Sequence, residues 1–116
     1  MKTKILVTGA LGQIGSELVP ALRARYGADQ VVASDIRMMS REELLRTEGP
    51  FDFLDCTNQR QIQDVVQRNQ ICTIYHLVAL LSAIGESKPQ VAWDVNMGSL
   101  YRVLEVARTT PHILAR

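Results

Sequence analysis

ILVTGALGQIGSELVPAL, residues 5–22, sets a short apolar run against three glycines, Gly9, Gly12 and Gly15, and then an amphipathic stretch. Lys4 to Thr8 has the β-branched, apolar composition of a strand, and from Gly12 to Arg25 apolar Ile14, Leu18 and Leu22 recur at helical spacing. The segment predicts a strand, a turn and a helix, with the glycines at the handover. Three glycines can serve a tight connection alone. They also suit an anion, because a phosphate at a helix N-terminus gains from unpaired N–H groups and the helix dipole, while a Cβ at the turn would hold it away. In that arrangement Gly9 permits the sharp exit from the strand, Gly12 admits a pyrophosphate close to the backbone, and Gly15 lets the helix press on the sheet. Gln13 and Ile14 then offer their backbone N–H groups.

The next segments supply the context. Gly27-Ala28-Asp29 breaks the helix, Gln30 to Ser34 reads as a second strand, and Asp35 stands at its carboxyl end, 20 residues after Gly15. A carboxylate there can accept hydrogen bonds from both adenosine ribose hydroxyls and repels the extra phosphate of NADP, so the expected cofactor is NAD. An acid after a strand also serves as a turn residue or a helix cap, and Arg37 lies close by. Met38 to Thr47 is expected to be a loop with a helical turn, ended by Gly49-Pro50 before a brief strand at Phe51 to Leu54.

"TNQRQIQDVVQRN", residues 57–69, reads as a helix capped by Thr57 or Asn58, with Ile62, Val65 and Val66 turned inward. "ICTIYHLVALL", residues 71–81, is continuously apolar and suits a central parallel strand covered on both faces. Pro89 to Arg108 carries Val91, Val95, Leu100, Val103, Leu104 and Ala107 at helical spacing, and Pro111 closes it. This alternation predicts an α/β fold: a Rossmann-type, doubly wound parallel sheet of about four strands, order 3-2-1-4, flanked by helices.

A chain of 116 residues suits one domain, 1–116, and 47% apolar with 22% charged residues is the composition of an ordinary globular protein. Thirteen Lys and Arg are dispersed among 12 Asp and Glu, for a net charge of +1, so no basic stripe offers itself to nucleic acid or an anionic membrane. The N-terminal run is too short for a signal peptide, and no apolar stretch reaches spanning length. Cys56 and Cys72 lack a paired spacing and read as reduced thiols, with no metal site. A cytoplasmic setting is expected.

The form Thr8-Gly9-Ala10-Leu11-Gly12-Gln13-Ile14-Gly15 resembles the extended short-chain dehydrogenase/reductase superfamily, which includes sugar-nucleotide epimerases and dehydratases. "FDFLDCTN" (51–58), "IYHLVALLSAIGE" (74–86) and "VNMGSLYRVLEVAR" (95–108) agree with it. With "SDIR" (34–37), they most resemble the short-chain L-threonine 3-dehydrogenase family, which oxidises the threonine hydroxyl with NAD to 2-amino-3-oxobutyrate. The resemblance implies that Gly9, Gly12, Gln13, Ile14, Gly15, Asp35 and Ile36 hold NAD, with Asp55 and Cys56 at the adenine. It further implies that Leu77 and Ala79 line the cofactor's path, Asn96 steadies the active-site backbone, and Ser82 faces an amino-acid substrate. A homodimer through the last helix is also implied; Trp93 and Met97 on that helix suit either the dimer face or core packing. Val78 and the order Gly98-Ser99 depart from the family pattern.

Oxidation of a secondary alcohol needs a base, which this superfamily supplies as a tyrosine with a lysine four residues later. Tyr26, Tyr75 and Tyr101 are followed instead by Gln30, Ala79 and Glu105. No catalytic residue is therefore assigned, and His76, on a buried strand, reads as a core residue rather than a base. The chain is expected to be the cofactor-binding part of such an enzyme, inactive alone, with an apolar fourth strand left at the sheet edge unless the last residues cover it. A sugar-nucleotide epimerase or dehydratase is the near alternative. A non-catalytic NAD-binding sensor or scaffold is the alternative of another class.

Overall fold

The computed structural model describes residues 4–40, 43, 49–78, 88–110 and 114–115. Strand β1 (Ile5–Thr8) leads through the glycine turn into helix α1 (Gln13–Tyr26), and a single 3-10 turn at Ala28–Gln30 leads into β2 (Val31–Asp35). After β3 (Phe51–Phe53) come helix α2 (Gln59–Arg68), strand β4 (Thr73–His76), helix α3 (Pro89–Thr109) and a two-residue strand β5 (Leu114–Ala115). All pairings are parallel, in the order β3-β2-β1-β4-β5. The predicted order of four strands holds, and β5 extends it, pairing Leu114 with Thr73 and Ala115 with Ile74 along the edge of β4.

Two-residue alternation splits the sheet between two cores. Leu6, Val32 and Ile74 face α2 and α3, packing with Ile62, Val65, Val66, Val103 and Val106. Ile5, Val7, Val31 and Ala33 face the other way, against Val19 and Leu22 of α1. The fold is therefore doubly wound, and β1, at its centre, is buried along its whole length.

Of the apolar run at 71–81, residues 71–78 are described; among them the strand is Thr73 to His76, and within that strand Ile74 alone is fully buried. Ile71 serves the end of α2 instead: its N–H bonds the Val66 carbonyl while the Gln70 N–H bonds that of Gln67. This is a Schellman closure with Gln70 in the left-handed region at φ 54°. At the other end β4 stops where β1 does, since Thr8 pairs with His76 and Gly9 then turns the chain away. The expected helical turn within 38–47 falls largely outside the described residues. Of the two candidate caps on α2, Asn58 is the one used, its side chain accepting the Gln61 N–H at 3.2 Å.

Candidate functional site

The three glycines have three different reasons. Gly9 adopts φ +67°, and a Cβ there would stand 2.9 Å from the Leu77 carbonyl carbon, so backbone shape and the close approach of β1 to the exit of β4 both require glycine. At Gly15 a Cβ would meet Ala10 backbone atoms at 2.6–2.7 Å, because α1 presses on the turn that starts it. Gly12 differs. Its φ of −76° and ψ of −179° suit any residue, and the nearest atom a Cβ would meet is the Gly9 carbonyl oxygen, at 3.4 Å. The protein itself leaves room at Gly12, and that room opens onto a cavity.

At this mouth α1 carries no side-chain cap and no acid in its first turn. The first intrahelical bond runs from the Ser16 N–H to the Gly12 carbonyl, so the amides of Gln13, Ile14 and Gly15 have no acceptor within the helix. Gln13 and Ile14 are exposed, and Ile14 remains 67% accessible. The positive end of the α1 dipole is thus open to an anion.

The exit of β4 is tied to the end of β1 through Thr8. The Thr8 hydroxyl accepts the Leu77 N–H at 3.1 Å and lies 2.8 Å from His76 Nδ1. Burial holds the His76 pKa below its usual value, so the ring is neutral and its buried Nε2 has no partner among the described residues. His76 links the two strands but is half-buried rather than the core residue expected of it, and Thr8 is a positioning residue that the sequence did not reveal.

A cavity of about 350 Å³ brings together Gly9, Gly12, Asp35, Ile36, Asp55, Cys56 and Leu77. These seven are sequence candidates, and they converge from the ends of β1, β2, β3 and β4, as ligand sites do in open parallel sheets. Val95 and Ser99 of α3 close the wall. Asp35 is fixed at its rim: Oδ2 accepts the Leu11 N–H and Oδ1 the Arg37 N–H, each at 3.0 Å. An ionised carboxylate has about four acceptor sites, so about two remain for hydroxyl donors. Asp55 Oδ1 accepts the Thr57 amide at 2.9 Å and its hydroxyl at 2.6 Å, which braces the turn into α2. Burial first, then the charges of Asp55 and Asp35, push the Cys56 thiol up to about 12, so it is protonated filler and not a nucleophile.

Gln13 and Ile14 lie at the mouth of α1 rather than on the cavity wall, and Gly15 faces a separate cavity of about 610 Å³ between α1, Ala33, Met39 and Phe51. That larger space contains none of the acids. Asn96 is half-buried on α3, off the cavity wall. Ala79 and Ser82 lie outside the described residues, as does the side chain of Trp93. Leu54, Thr57, Val78, Val95 and Ser99 also line the cavity, though none of them was a candidate for binding the cofactor. Among the described residues, no helix is long and apolar enough to cross a membrane and no His/Cys/Asp/Glu group could hold a metal ion.

A cradle of bare amides, a position where a Cβ would fill ligand space, and a carboxylate with spare acceptor sites fit a diphosphate-linked nucleoside. Comparison with known proteins agrees. The model of the NAD dependent epimerase/dehydratase family matches residues 5–114. An uncharacterized epimerase/dehydratase of Staphylococcus epidermidis is 49% identical over 105 residues, which cover 90% of this chain and 33% of that protein. The GalE-like L-threonine dehydrogenase from Cupriavidus necator, in its holo form, superimposes with a TM-score of 0.88 at 44% identity, over 97% of this chain and 35% of that one. A partial consensus L-threonine 3-dehydrogenase gives a TM-score of 0.86 at 48% identity, over 94% of this chain and 34% of that one. The chain spans about a third of the length of these relatives.

Proposed function

This chain belongs to the NAD-dependent epimerase/dehydratase family, and we propose that it is the NAD-binding segment of an oxidoreductase that oxidises the hydroxyl of L-threonine. The observation that carries the cofactor reading is Gly12, where neither φ nor packing demands a glycine and only a ligand's approach to the amides of α1 does. In this reading the diphosphate lies on the amides of Gln13 and Ile14. Asp35 holds the adenosine ribose, with Ile36 against it, and Asp55 and Cys56 border the adenine. Leu77 and Ala79 follow the cofactor toward the nicotinamide, Asn96 steadies the backbone there, and Ser82 faces the amino acid. NAD, when bound, supplies the hydride acceptor. The base that takes the hydroxyl proton is not among these residues, because no tyrosine here has a lysine four positions on.

The similarity to threonine dehydrogenases of 44% and 48% identity supports the substrate. A second copy of the chain is the proposed partner. Met97, Leu100, Tyr101 and Leu104, at helical spacing on α3, leave a continuous apolar stripe exposed that a homodimer would cover. The substrate is tested by a chimera carrying this segment in place of the matching third of the Cupriavidus necator enzyme. Reduction of NAD with L-threonine is expected. A chimera that binds NAD but reduces none with L-threonine would overturn the substrate reading.

A further inference from the structure

We propose that the Ser99 hydroxyl directly contacts the adenosine diphosphate half of the bound dinucleotide, an inference that rests on the cofactor reading above. On α3 the residues Val95, Ser99, Val103 and Val106 recur at spacings of four and three, one stripe facing the sheet. Val103 and Val106 are buried in the core beside α2. One turn earlier the stripe leaves the core and becomes the cavity wall, and at that crossing the valine pattern gives way to serine.

Ser99 is fully buried, and its hydroxyl has no hydrogen-bond partner among the described residues, not even the carbonyl one turn back on its own helix. The other two fully buried polar residues among those described, Thr8 and Ser34, are satisfied, Thr8 by the Leu77 N–H and Ser34 by donating to the Val7 carbonyl at 2.8 Å; Gln30 Oε1 and His76 Nε2 are also buried without a partner among the described residues, but neither residue lines this cavity. A buried hydroxyl without a partner is unfavourable unless a ligand completes it. The same wall holds Gly12, Asp35 and Asp55, so the ligand that reaches Ser99 is the one they define, a nucleoside diphosphate. A hydroxyl can donate to a phosphate or ring acceptor and accept from a ribose hydroxyl or an amino group. Ser99 is therefore a specificity contact in the wall that α3 contributes.

Titration calorimetry of ADP into the wild-type chain, Ser99→Ala and Ser99→Cys, with the melting temperature of each ligand-free protein, tests this. Both variants are expected to bind ADP about five- to tenfold more weakly, the effect of one lost hydrogen bond, while the ligand-free proteins melt at the same temperature or higher. ADP affinity within twofold of wild type in both variants would overturn the inference and leave the cofactor reading standing. A loss of affinity matched by a lower melting temperature would also overturn it, since the hydroxyl would then be structural. If the wild-type chain binds no ADP, the cofactor reading fails and this inference with it.

Discussion

Oδ2 of Asp35, at the end of β2, accepts the backbone N–H of Leu11 from within the glycine turn at 3.0 Å. The acid and the turn are thus one rim, so the site for a ribose and the site for a diphosphate are held at a fixed spacing before any ligand arrives. Replacing Asp35 with Asn removes the charge and sets an NH2 donor against one of the two backbone amides, Leu11 or Arg37, that the carboxylate now accepts. NAD affinity is expected to fall about 10- to 100-fold, the effect of losing charge-assisted hydrogen bonds, while the handicap of NADP relative to NAD shrinks. Parallel titrations with the two nucleotides check this, and a wild-type preference for NADP would contradict the role of Asp35.

Gln70 closes α2 in the left-handed region at φ 54°, where a Cβ is crowded and glycine is at ease. Gln70→Gly is expected to stabilise the chain by about 1 kcal/mol, less the added backbone freedom of glycine in the unfolded state. Urea unfolding measures it. A destabilised variant would mean that the Gln70 side chain makes a contact worth more than the strain.

Burial lowers the His76 pKa in the folded chain, so the folded state binds fewer protons than the unfolded state just below the ordinary value of 6.5. The stability tied to the neutral ring is complete above 6.5 and is lost as pH falls toward the folded value. The slope for one proton is at most about 1.4 kcal/mol per pH unit. Urea midpoints between pH 8 and 5.5 should decline on the acid side, and His76→Asn should flatten that decline. An equal decline in the variant would assign it to other groups.

The apolar stripe of α3 predicts a concentration-dependent dimer. Changing Leu100 and Leu104, both exposed, to Glu together should give a monomer by light scattering without weakening NAD binding, since neither residue lines the cavity. A wild-type chain that is monomeric at all concentrations would remove the dimer from the account.

Much of this was legible in the sequence because local patterns and tertiary structure agree. The strand–glycine–helix handover, Asp35 at the end of β2 and the capped α2 each follow from residue type and spacing; Gly9, Gly12 and Asp35, named on those grounds, share one cavity with Ile36, Asp55, Cys56 and Leu77, which the family resemblance implied. The length of β4 was not legible. A continuous apolar run does not show where its neighbour β1 ends, and it is the partner that fixes the four residues from Thr73 to His76. Thr8 escaped notice because its partners, His76 and Leu77, are 68 and 69 positions away and meet it only through strand register. Ser99 left a readable trace, a polar residue on an otherwise valine stripe, but whether that stripe faces a core or a cavity is decided by the packing of α3.

The central claim is that a diphosphate lies against bare amides at the mouth of α1, and Gly12→Ala tests it most directly when NAD titration and urea unfolding are run on the same protein. The account predicts a fold stable to within about 1 kcal/mol of wild type with NAD binding abolished, whereas Gly15→Ala, which drives a Cβ into Ala10, unfolds the chain more readily. A Gly12→Ala protein that binds NAD as tightly as wild type would contradict it.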